Sequence, residues 1–134
     1  MNRLAPAFAL LLLAVSCRTV GVSRVEGGFA EVSASIAHEM ILDTRQIIVL
    51  DLRPTEQYAA GHIAGAISTP LNSIENRLPE LGPYQHSTLL IYGGQEESRR
   101  GARLLVVAGF RNIVRISGGI DAWIKGGYPT VSSQ

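Results

Sequence analysis

A single cysteine, Cys17, stands in a chain of 134 residues, so no disulfide can close within it and the fold must rest on its core. Net charge is also missing. The 12 basic side chains outnumber the 11 acidic ones only through Arg3, and from Cys17 onward the two signs balance at 11 each. A balanced surface gives no electrostatic case for nucleic acid or for acidic lipid. No apolar run reaches the ~20 residues of a membrane-crossing helix, and there are neither internal repeats nor low-complexity tracts. His38 and His86 have no partners at metal-ligand spacing, so neither a metal nor any other cofactor is expected. What is present is a hydrophobic share of 46% with 17% charged residues, the balance of one globular domain.

The first 16 residues read as an export signal: a basic start at Met1-Asn2-Arg3, then an apolar stretch from Leu4 to Val15 broken only by Pro6. It ends in Ala14-Val15-Ser16-Cys17, which resembles a bacterial lipobox. That pattern implies cleavage before Cys17 and acylation of the new terminus, a stable anchor when more than one chain is attached. The expected product is an exported lipoprotein on the periplasmic or cell-surface face. Arg18 after the cysteine, where an Asp would retain the protein at an inner membrane, favours the outer one if the cell has two. Residues 17–28 are polar and aperiodic, with Gly21, Gly27 and Gly28, and read as a tether. The domain proper is expected over 29–134.

From there strands and helices alternate. Strands are expected at Glu31–Ser33, Ile47–Leu50, Ala66–Ser68, Leu89–Tyr92 and Ile113–Ile116. Helices are expected at Ser35–Leu42, from Pro54 to about Ala60, from Asn72 with Glu75 as a capping box, at Ser98–Ala108, and at Ile120–Lys125. Gly109-Phe110 fits a helix stop. Continuous β-branched runs such as Ile47-Ile48-Val49-Leu50 suit strands buried on both faces. The alternation implies an α/β domain: a parallel five-stranded sheet with helices on both faces. In such a sheet ligands bind past the carboxyl ends of the strands, which singles out the loop after Asp51 and the loop beginning at Gly93.

Several stretches together resemble the rhodanese family. Val49-Leu50-Asp51-Leu52-Arg53-Pro54, Glu56-Gln57-Tyr58 and Gly61-His62-Ile63-Ala64-Gly65-Ala66-Ile67 match its first half. Gly109-Phe110, Ser117-Gly118-Gly119-Ile120-Asp121-Ala122-Trp123 and Gly127-Tyr128-Pro129 match its second. The resemblance implies an active-site loop after the fourth strand that opens with a cysteine, typically Cys-x-x-Gly-x-Arg, which carries sulfane sulfur as a persulfide. A thiolate suits that task because it both attacks sulfur and accepts it. Here the stretch reads Tyr92-Gly93-Gly94-Gln95-Glu96-Glu97-Ser98-Arg99. Registering on the strand places Gly93 at the cysteine position, and counting back from Gly109 places Tyr92 there. Neither carries sulfur, so the expectation is an inactive member that binds a protein partner or a small anion. The rival is a sulfurtransferase or phosphatase-like enzyme working through another group.

Among single residues, Glu96 and Glu97 stand where a helix start would otherwise face an anion, as a plug or as ordinary first-turn acids. Asp51 and Arg53 read as an ion pair fixing a turn or as a pair lining the site. His62 reads as a structural donor to backbone. Gly93 and Arg99 have the Cys-x5-Arg spacing of related phosphatases, although Arg99, Arg100 and Arg103 fit a solvated helix face. Trp123 and Phe110 read as core.

Overall fold

A computed structural model describes residues 23–25, 27–43 and 46–133. The expected signal over 1–16 and the lipidation site Cys17 lie outside the described residues.

The strands are β1 (Ser23–Val25), β2 (Phe29–Val32), β3 (Ile47–Asp51), β4 (His62–Ile63), β5 (Ile67–Ser68), β6 (Thr88–Tyr92), β7 (Ile113–Ile116) and β8 (Thr130–Val131). The helices are α1 (Ala34–Asp43), α2 (Thr55–Ala60), α3 (Ile74–Leu81), α4 (Gln95–Val107) and α5 (Gly119–Lys125). The main sheet runs β1-β2-β7-β6-β3-β5, and the five strands from β2 to β5 in that order are parallel. The expected five-stranded parallel sheet is therefore present.

Side-chain alternation divides β6 between two cores. Leu89 and Ile91 pack with Leu50, Ile74, Ala102 and Leu105 under α3 and α4. Leu90 and Tyr92 pack with Val49, Ala37, Ile116 and Trp123 under α1 and α5. Both faces of a parallel sheet must be covered in this way, and all four β6 side chains just named are fully buried. Trp123 and Phe110 are core residues, as expected. Helix α4 ends as its sequence implied: Gly109 N–H donates to Val106 O and Phe110 N–H to Leu105 O, the paired bonds of a Schellman stop.

Three expectations need correction. The tether of residues 17–28 contains structure, since β1 pairs antiparallel with β2 in the register Ser23↔Glu31 and Val25↔Phe29. The chain reverses through Gly27 and Gly28 at φ +129° and +86°, and the added strand covers a sheet edge that would otherwise present unpaired amides. The capping box at Asn72 does not form. A 3-10 turn over Leu71–Ser73 leads into α3 without a side-chain cap, and the Ser73 hydroxyl donates to Pro70 O instead. Finally, α4 starts three residues before Ser98, so Gln95 to Arg99 are helical and the loop after β6 shrinks to Gly93 and Gly94.

Candidate functional site

The carboxyl ends of the parallel strands hold the site. Tyr92 pairs with Asp51 across β6 and β3. It is fully buried, and its phenol oxygen accepts the Ile63 N–H at 3.1 Å. A thiol at position 92 would thus face the core, which leaves Gly93 and Gly94 as the loop positions beside solvent. Gly119 sets the loop's depth. A Cβ there would stand 2.6 Å from Gly93 O, and φ at Gly119 is +57°, so only glycine lets β6 and the start of α5 approach this closely.

Glu97, one turn into α4, folds back over the loop. A Cβ built on Gly94 would collide with its Oε2 and stand 2.9 Å from its Cδ, so the carboxylate rests against the glycine's bare α-carbon. Glu96 is exposed. Acids in a first helical turn are favoured by about 0.3–1 kcal/mol through the unpaired N–H groups. Beside the loop opens a cleft of about 750 Å³ whose wall includes Arg53, Glu56, Glu75, Gly94, Glu97 and Arg100.

Asp51 is fully buried and acts from beneath this cleft. Arg53 turns back on it, with Nη2 2.7 Å from Oδ2 and Nε 3.0 Å from Oδ1, and also donates to Gly61 O at 2.7 Å. The pair thus fixes the strand-to-helix turn, and Arg53 alone reaches the cleft wall. Burial by itself would lower the Arg53 pKa, but the hydrogen bonds and charge of Asp51 outweigh it and hold the guanidinium above its ordinary value. The guanidinium carbon lies 5.5 Å from the Tyr92 ring centroid. His62 is buried and stacks on Tyr58 at 3.7 Å. Its Nδ1 lies 2.7 Å from Tyr58 O, and since a carbonyl only accepts, that nitrogen carries the proton. Of the three arginines on α4, Arg103 is exposed, Arg99 is half-buried, and Arg100 is the one that meets the cleft.

A residue the sequence reading passed over supports the loop from below. Arg115 on β7 is 1% exposed. Its Nε donates to Ser98 Oγ at 2.7 Å, its Nη2 to Gln95 O at 3.3 Å, and its Nη1 lies 2.9 Å from Glu31 Oε1 on β2. The signal was available: a charge inside the apolar run Ile113–Ile116, in a strand covered on both faces, has to be paired. Among the described residues no group of three His, Cys, Asp or Glu is placed to hold a metal ion, and no helix is long and apolar enough to cross a membrane.

Tyr92 gives a testable consequence. Burial pushes its phenol pKa well above the ordinary 10.0, against the lowering effect of the Ile63 N–H and with a further rise from the Asp51 charge. The unfolded chain then loses this proton at lower pH than the native one, so stability falls as pH rises above about 10. Tyr92→Phe should abolish that slope in denaturant titrations. At neutral pH it should cost ~1–3 kcal/mol, because the buried Ile63 N–H loses its acceptor.

A doubly covered parallel sheet with a glycine loop and a helix start at its carboxyl edge, over a buried Asp-x-Arg turn, defines an α/β domain built on the rhodanese plan. Comparison with known proteins agrees: the rhodanese-like domain family matches residues 33–126, and the chain belongs to that family. It is 32% identical over 87 residues to the thiosulfate sulfurtransferase GlpE of Pseudomonas entomophila, covering 65% of this chain and 78% of that protein. It is 30% identical over 112 residues to the chloroplastic thiosulfate sulfurtransferase 16 of Arabidopsis thaliana, covering 75% and 92%. Among solved structures, the Alr3790 protein of Anabaena sp. superposes with a TM-score of 0.70 at 27% identity, covering 75% of this chain and 91% of that one.

Proposed function

We propose that this rhodanese-like domain transfers no sulfur and serves as a binding or regulatory module of an exported lipoprotein, anchored through acylated Cys17 at the cell envelope. The observation that carries the reading is the state of the loop. Where the family's chemistry needs a thiolate facing an anion, this chain has Gly93 and Gly94, with its own Glu97 carboxylate resting on the second. Sulfane transfer needs a nucleophile that can become a persulfide, and glycine offers none. A carboxylate over the loop further opposes an anionic donor such as thiosulfate. Cys17 is no substitute, being assigned to the lipid and 76 positions from the loop in the numbering.

The rival reading, a sulfurtransferase or phosphatase-like enzyme using another group, draws support from the names of the relatives. A thiosulfate-to-cyanide assay decides between them. Thiocyanate formation by the purified protein is expected to match a no-protein blank, and turnover above it would establish the enzyme.

A further inference from the structure

We propose that the lipid tether holds the mouth of the cleft against the bilayer, and that the cleft receives a zwitterionic phospholipid headgroup, a phosphate joined to an ammonium. The proposal rests on the lipidation of Cys17 put forward above.

Strand β1 supplies the geometry. Because it runs antiparallel to β2 with Ser23 opposite Glu31, one residue short of the β2 end at Val32, the chain enters the domain at the carboxyl edge of the parallel strands. That edge carries the Gly93–Gly94 loop and the cleft. In the sheet order β1 stands three to five strand spacings from β6, β3 and β5, whose following segments line the cleft, about 14–24 Å at the usual separation. Six Cα steps separate Cys17 from Ser23, a reach of about 20 Å at full extension. An acylated Cys17 therefore keeps the cleft-bearing edge close to the headgroups. The opposite edge, with Gly28, Gln85 and His86, is carried roughly 15 Å further out by the length of a five-residue strand.

The lining supplies the ligand class. Arg53 is engaged by Asp51 and Gly61 O, so Arg100 is the cation left to meet a phosphate, and Glu56, Glu75 and Glu97 face the same space. A purely anionic headgroup would meet three carboxylates there. One that also bears an ammonium satisfies both signs. The balance of 11 basic and 11 acidic side chains after Cys17 likewise gives no general pull toward acidic lipid.

The test uses the full chain, exported, matured and reconstituted into phosphatidylethanolamine–phosphatidylcholine vesicles. The intact mass reports acylation of Cys17 first, and an unacylated terminus would remove the lipoprotein reading and this proposal with it. Once Cys17 is blocked by lipid, Ser117→Cys, exposed after β7 on the cleft edge, and Gln85→Cys, exposed on the far edge, can each be labelled with a fluorophore. A nitroxide on the headgroup should quench the label at 117 about threefold or more above that at 85, given the strand length between the edges. Equal or reversed quenching would overturn the orientation. Amide exchange over residues 93–100 should slow several-fold when phosphatidylethanolamine replaces phosphatidylglycerol, and Arg100→Gln should remove that difference. Preferential quenching at 117 with exchange indifferent to lipid would overturn the headgroup as the ligand and point to a membrane-borne protein.

Discussion

Replacing Gly93 with cysteine should give a protein that takes one sulfur atom from thiosulfate, where the proposed function expects the parent to take none. The backbone conformation allows the change, since φ at Gly93 lies outside the left-handed region, and the new Cβ would stand 3.3 Å from Leu52 Cβ, a tight contact that Leu52 relieves by shifting a few tenths of an ångström. The thiolate would attack the outer sulfur of thiosulfate, forming a cysteine persulfide as the sulfur–sulfur bond of the donor breaks and sulfite leaves. The start of α4 assists by favouring an anion there. Glu97 opposes it, so pairing Gly93→Cys with Glu97→Gln should raise the yield a further several-fold, in line with the ~0.3–1 kcal/mol assigned to a charge at a helix end. Intact-mass analysis after thiosulfate treatment reads the outcome directly. A folded double variant with no added sulfur would mean that the loop has lost its anion-binding shape, and that Glu97 is not what keeps the site from acting.

Much of this fold was legible because strand and helix periods are strong signals. Runs such as Ile47–Leu50 and Leu89–Tyr92 admit few readings in a chain that alternates with amphipathic helices. Strand β1 was not legible, since three residues owe their extension to pairing with β2 across a glycine turn and show no period of their own. The start of α4 was misplaced because Gly94 offers no capping side chain to mark it. At the site, Asp51, Arg53 and the loop could be named from their place at the strand ends together with the resemblance to the rhodanese family. The fold of Glu97 onto Gly94, the reach of Arg100 in place of Arg99, and the contributions of Glu56 and Glu75 to one wall depend on how α4 sits against the neighbouring turns, which a one-dimensional pattern does not contain.

Arg115 is where stability and the site meet. Its guanidinium is enclosed, bonded to Ser98 Oγ and Gln95 O at the first turn of α4, and set against Glu31, whose side chain is only 19% exposed. Nη1 approaches Glu31 without an aligned hydrogen bond, so the contact is one of charge. Arg115→Ala should leave the Glu31 carboxylate half-buried without a cation and two acceptors without their donor, at a cost of ~3–5 kcal/mol. For a domain of this size that corresponds to a fall in Tm of roughly 15–30 °C. The joint change Arg115→Met with Glu31→Leu removes both charges and keeps most of the volume, so its melting point should lie near the parent's. That comparison separates a stranded carboxylate from a simple loss of packing. The joint variant carries a second expectation: although stable, it should show faster amide exchange in the first turn of α4, because Ser98 and Gln95 have lost their brace. A joint variant as unstable as Arg115→Ala would mean that side-chain volume sets the cost. An alanine variant melting within a few degrees of the parent would mean that Arg115 does not anchor the loop's helix at all.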